Sequence, residues 1–118
     1  MLKLATLQEI KQRYMKDSLP TRLGGLAANL ARVNTFFHQD ANQDAVFSLM
    51  NESKYFIEWT AAEAELEVTA QLVDLQIQLA FWQHGLAKIW ADTKKRQEVA
   101  QLSRQWSDKV LELSGLLN

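Results

Sequence analysis

The chain has 118 residues, 47% of them hydrophobic and 23% charged, with a formal net charge of −1, 4 glycines, 1 proline and no cysteine. This balance suits one globular domain spanning residues 1–118; it excludes disulfides, thiolate metal sites and a cysteine nucleophile, and leaves too few turn residues for a β-sandwich or barrel. The near-neutral charge argues against a nucleic-acid binder, which needs a continuous basic face, and no run of 18 apolar residues is present to span a membrane.

The first residues, Met1 to Glu9, turn polar before the apolar region of a signal peptide is complete, so a cytoplasmic location is expected. Thr6-Leu7-Gln8-Glu9 reads as a capping box, in which the hydroxyl and the carboxylate each satisfy a backbone N–H that the helix leaves unpaired. A short first helix follows, with Leu7, Ile10 and Tyr14 on one face. It ends near Asp17, because Pro20 disfavours helix in the residue before it. The second helix opens near Pro20 and carries Leu23, Leu26, Leu30, Val33 and Phe37 in steps of three and four, the period of one buried helix face. It stops around His38-Gln39-Asp40.

Asp40 with Gln43 forms a further capping-box pattern before the third helix, whose face is set by Val46, Met50 and Ile57 and widened by Phe47, Leu49 and Phe56. Thr60-Ala61-Ala62-Glu63 repeats that pattern in mid-run and divides the third helix from a fourth, expected over about Ala61 to Trp90. Along it Val68, Leu72, Leu75, Leu79, Trp82, Leu86 and Ile89 make a strict a/d seam. Leu66, Val73, Ile77 and Phe81 add a second stripe, so this helix is expected to be covered on two sides. Asp92 or Thr93 caps the last helix, with Val99, Leu102, Trp106, Val110, Leu113 and Leu117 as its stripe.

Short links between long helices make neighbours antiparallel. The expected architecture is an up-and-down four-helix bundle with a short extra N-terminal helix, the last two long helices forming its most regular hairpin. Charge is uneven along it: residues 1–37 hold six basic and two acidic groups, residues 38–87 one basic and eight acidic, and residues 88–118 six basic and four acidic. Antiparallel helices of opposite charge side by side are the plain reading of that pattern.

Chemistry-bearing motifs are sparse. Neither His38 nor His84 has a carboxylate three residues before it, as the inward Glu-x-x-His pairs of di-metal bundles require, so no metal and no cofactor is expected. No Gly-x-Ser-x-Gly elbow and no glycine-rich phosphate loop occurs. The chain is accordingly read as a non-enzyme. Gly24 and Gly25 are unusual, since each costs a helix about 1 kcal/mol relative to alanine. With Ala28 and Ala31, Gly24 forms a small-residue side that lets a backbone or a ring approach closely, as an internal contact, a subunit contact or a ligand slot. Trp82 and Trp106 fall on apolar stripes; Trp59 and Trp90 sit at helix ends, where they seal the core or anchor a partner. The candidate contact surface is therefore Gly24, Ala28, Ala31, Trp59 and Trp90.

Two stretches carry resemblances. Trp82-Gln83-His84-Gly85-Leu86-Ala87-Lys88 resembles histidine phosphotransfer domains, in which an exposed His is followed by Leu at +2, Lys at +3 and Gly at +4. Leu86 matches, whereas Ala87 and Lys88 depart, and the resemblance implies His84 as phosphoacceptor. Asn51-Glu52-Ser53-Lys54-Tyr55-Phe56-Ile57-Glu58-Trp59 resembles segments of small, uncharacterised all-helical proteins of cyanobacteria, which implies a helical bundle and no activity.

The functional expectation is a non-enzymatic interaction or scaffolding protein with an unidentified protein partner. The alternatives are a phosphotransfer module using His84 and a small-molecule carrier with an apolar cavity beside Gly24 and Ala28. A homodimer is expected on two grounds: a fourth helix too long for its neighbours to cover, which leaves an a/d seam of Leu72, Leu75, Leu79 and Trp82 in water, and, secondarily, a charge asymmetry that lets a basic terminal helix of one subunit face the acidic middle of another.

Overall fold

The computed structural model describes residues 2–39 and 42–117, with side chains described from residue 7 onward. Six α-helices account for nearly all of it: α1 (Leu2–Lys16), α2 (Leu19–Phe37), α3 (Gln43–Thr60), α4 (Leu66–His84), α5 (Leu86–Ala91) and α6 (Thr93–Ser114). A single 3-10 turn, Ala61–Glu63, joins α3 to α4, and the described residues contain no strand.

Helix α1 starts at Leu2, so Thr6 lies within it instead of capping it. Ser18 caps α2, its side chain accepting from the Thr21 N–H, and Pro20 sits in the first turn, where its missing N–H is not needed. Leu23, Leu26, Leu30, Val33 and Phe37 are all buried, as their spacing requires. Asp40 lies outside the described residues; α3 begins at Gln43, with Asn42 before it. Asp92 caps α6 through the Lys94 and Lys95 N–H groups, and Gly115 ends it in the left-handed region at φ 75°, which glycine adopts without a Cβ clash.

Three expectations are corrected. The chain breaks after Thr60, but the capping box does not form. Thr60 keeps helical dihedrals without a cap bond and donates to the Tyr14 hydroxyl at 3.4 Å, while Glu63 turns to Arg22. The fourth helix does not run from Ala61 to Trp90: it begins at Leu66 and turns at Gly85, where a poor helix former sits at φ −99°, ψ 15°. That turn sends α5 against α6 and carries Leu86 into the core. The last two long helices do not form the principal hairpin either. Helix α6 packs along α2 and meets α4 only marginally.

The pairings are antiparallel. Between α2 and α6, Asn34 donates to the Ala100 carbonyl at 2.7 Å, Ser103 to that of Leu30 at 2.8 Å, and Ser107 to that of Ala27 at 2.7 Å. Helix α2 also lies against α3, and α3 against α4. The molecule measures 38 × 37 × 21 Å, so it is about two helix diameters thick.

The face that α6 buries overlaps its large-residue stripe only in part: Val99 and Val110 are buried and Trp106 and Leu113 half-buried, and a line of small residues runs beside them. Ala100, Ser103, Ser107, Val110 and Ser114 are buried, while Leu102 and Leu117 are exposed. Small side chains let the two backbones come close enough for serine hydroxyls to reach carbonyls on α2, and bulky residues on that line would hold them apart.

Candidate interaction surface

Helix α4 has two apolar faces with different fates. Leu72, Leu75, Leu79 and Trp82 point inward and are buried, joined by Leu86 beyond the turn. The seam expected to stand in water is thus the core, and α4 at 19 residues is no longer than α2. The expectation of an overlong fourth helix with an uncovered seam is corrected. The second stripe, expected to be covered, is the one in solvent: Leu66 is 84% exposed, Phe81 70%, Ile77 52% and Val73 42%.

Seven-residue spacing organises the outer face, because seven residues come close to two full turns. Leu66, Val73 and Ala80 form one row, and Ala70, Ile77 and His84 the next. On one flank, Thr69, Gln76 and Gln83 repeat at the same spacing and fasten α4 to its neighbour. Thr69 donates to the Ala61 carbonyl at 2.7 Å, Gln76 to that of Lys54 at 3.3 Å, and Gln83 to that of Phe47 at 3.4 Å. Lys54 in turn donates to Gln83 at 2.7 Å. On the other flank the row is Glu67, Asp74 and Phe81, all exposed. Residues 55–87 contain five carboxylates and no Lys or Arg. The outer face is therefore an apolar strip with one polar rim, bonded to α3 and the turn that follows it, and one rim of Glu67 and Asp74 left in solvent.

The candidate contact residues do not form one surface: Gly24, Ala28 and Ala31 lie on α2, Trp59 near the end of α3 and Trp90 on α5. Gly24 faces Leu116, whose Cδ1 would stand 2.7 Å from a Cβ built there, so the space beside it is filled by the chain's own C-terminal segment. Ala28 is exposed and Ala31 half-buried. Trp59 belongs to an aromatic group with Tyr14, Tyr55 and Phe56, and Lys11 lies over its ring at 5.8 Å. Trp90 packs on Phe37 with centroids 5.5 Å apart, and the Arg96 guanidinium lies 4.2 Å from its ring. His84 is exposed in the last turn of α4, at the end of the outer strip.

Sequence reasoning missed two polar anchors. Arg22, 5% exposed, forms two 3.0 Å contacts with the Glu63 carboxylate and donates to the Asp17 carbonyl. This fork holds the Glu63 carboxyl below its ordinary pKa, through the hydrogen bond first and the opposite charge after it. Tyr14 stacks on Phe56 at 3.9 Å and donates to the Arg22 carbonyl at 2.7 Å, and burial pushes its phenol up to about 12. No local pattern joins Arg22 to a residue 41 positions on. The buried line on α6, Ala100, Ser103, Ser107, Val110 and Ser114, recurs in steps of three and four, but serines carry no apolar signal that marks a helix face.

An open cavity of about 400 Å³ lies between α1 and α3, lined by Ile10, Arg13, Tyr14, Asp17, Glu52 and Phe56. Among the described residues no group of three His, Cys, Asp or Glu is placed to hold a metal ion, and no helix is long and apolar enough to cross a membrane. Compared with known proteins, the chain matches no family model, no curated sequence and no solved structure.

Proposed function

We propose that this protein is a non-enzymatic, cytoplasmic interaction module that presents the outer face of α4 to a protein partner. We read α2, α3, α4 and α6 as an open up-and-down scaffold that holds this helix rigid. The observation that carries the proposal is the exposure of Leu66, Val73, Ile77 and Phe81 on a helix whose opposite side is packed into the core. A contiguous apolar strip costs free energy in water, and large patches of this kind mark contact sites. The helix need not fold on binding, so docking orders few groups beyond side chains.

The test compares the native protein with a Val73→Gln, Ile77→Gln, Phe81→Gln variant as immobilised baits in a native extract. The expected result is a stoichiometric partner held by the first and lost by the second, with both melting alike. Equal capture by both baits would count against the strip, and turnover of a substrate in a broad activity screen would overturn the non-enzymatic reading.

A further inference from the structure

The outer strip of α4 carries information about what covers it. Its solvent-facing rim is acidic, with Glu67 and Asp74 one heptad apart and followed at the same interval by Phe81. Successive members of that row are about 10.5 Å apart along the helix. The opposite rim has no free side: Thr69, Gln76 and Gln83 are bonded to the α3 side. Glu65 adds an exposed carboxylate at the start of α4, and the nearest amine before α4, Lys54, is held by Gln83.

Resting on the docking role proposed above, we infer that the occupant is a basic amphipathic helix of another protein, with an apolar i, i+3, i+4, i+7 stripe and Lys or Arg at seven-residue intervals on one edge. The apolar stripe covers Val73, Ile77 and Phe81, and the basic edge meets Glu67 and Asp74 as flanking charges do across a coiled coil. Charge decides between this occupant and its competitors. Two copies joined α4 to α4 in antiparallel fashion set one Glu67–Asp74 rim against the other, and like charges there oppose association; in a parallel pair each acidic rim meets the rim already bonded to the α3 side. An anionic lipid surface repels the same rim.

The experiment uses the full-length protein and two labelled 18-residue synthetic amphipathic peptides with identical leucine stripes, one flanked by Lys and the other by Glu. Fluorescence anisotropy at 50 and 500 mM NaCl reads binding. The Lys peptide is expected to bind at least tenfold more tightly than the Glu peptide at low salt, and the gap is expected to shrink at high salt. A Glu67→Gln, Asp74→Asn variant is expected to erase the discrimination, whereas Ile77→Gln, Phe81→Gln lowers affinity for both peptides while its circular dichroism melt stays unchanged. Equal binding of the two peptides, with both lost in the apolar variant, overturns the basic partner and leaves the docking face. Lys-peptide binding that the apolar variant does not weaken is charge attraction alone and overturns the inference. If neither peptide binds, light scattering separates the rest: a dimer that the apolar variant dissolves identifies a second copy as occupant, and a monomer throughout removes the docking role itself.

Discussion

Tyr14 shows how much one side chain does in this fold. Its ring lies flat on Phe56, and its hydroxyl donates to α2 and accepts from Thr60 at the end of α3. Burial disfavours the phenolate and dominates, against the Thr60 hydrogen bond and the Arg22 charge, which pull the other way. The folded pKa of about 12 stands above the unfolded value near 10, so the fold favours the neutral form. That contribution to stability is complete below about pH 10 and is lost as pH rises toward about 12. Tyr14→Phe is expected to cost about 1 kcal/mol at neutral pH through the lost hydrogen bond. In urea titrations the gap between wild type and Tyr14→Phe is expected to narrow from pH 7 to pH 11; a constant gap would mean that the hydroxyl is not buried as described.

At the scale of elements, α6 and α4 bury faces of opposite character. Helix α6 meets α2 through small residues, and the fully buried Ser103 is bonded to the Leu30 carbonyl. Ser103→Ala is expected to cost about 1 kcal/mol, the worth of one such hydrogen bond. Ser103→Leu is expected to cost clearly more, of the order of 1–3 kcal/mol or above, because the larger, branched side chain forces two closely packed backbones apart. Chemical denaturation of the two variants side by side checks the ordering, and a leucine that is tolerated as well as alanine would mean the helices are not closely packed. Helix α4 offers the complementary comparison. Leu79→Ala, at a buried position, is expected to cost about 2–5 kcal/mol, whereas Ile77→Gln, two residues earlier on the outer strip, changes stability by less than about 0.5 kcal/mol. Similar losses at both sites would show that the strip is packed in solution.

For the whole molecule, helices of like charge are paired where helices of opposite charge were expected. The basic α2 lies along α6, and the acidic α3 along α4, with α2 against α3 as the one opposite-sign contact among these three. Exposed charges contribute little and point into solvent, so apolar shape and backbone approach decide who pairs with whom. The same reasoning ranks local stability. Helix α2 is central, with eight buried residues, whereas α1 has only Tyr14 fully buried among its described side chains. Amide hydrogen exchange is therefore expected to be slowest in α2 and fastest among the long helices in α1, which opens without the rest. Protection in α1 equal to that in α2 would show one cooperative unit instead.

By itself the sequence determined the helical class, the core stripe of α2, the period of the seam on α4, a cap at Asp92 or Thr93 and the breaks near residues 18, 60 and 92. Each of these is a local matter of period or capping chemistry, decided within a turn or two of helix. Tertiary structure decided which of two apolar stripes on α4 was covered, that α6 buries serines beside Val99 and Val110 while Leu102 stays in solvent, and that Gly24 receives Leu116. A helix carries the same stripes whatever lies beside it; which stripe meets water depends on how closely two backbones approach, and that distance is a property of both helices together.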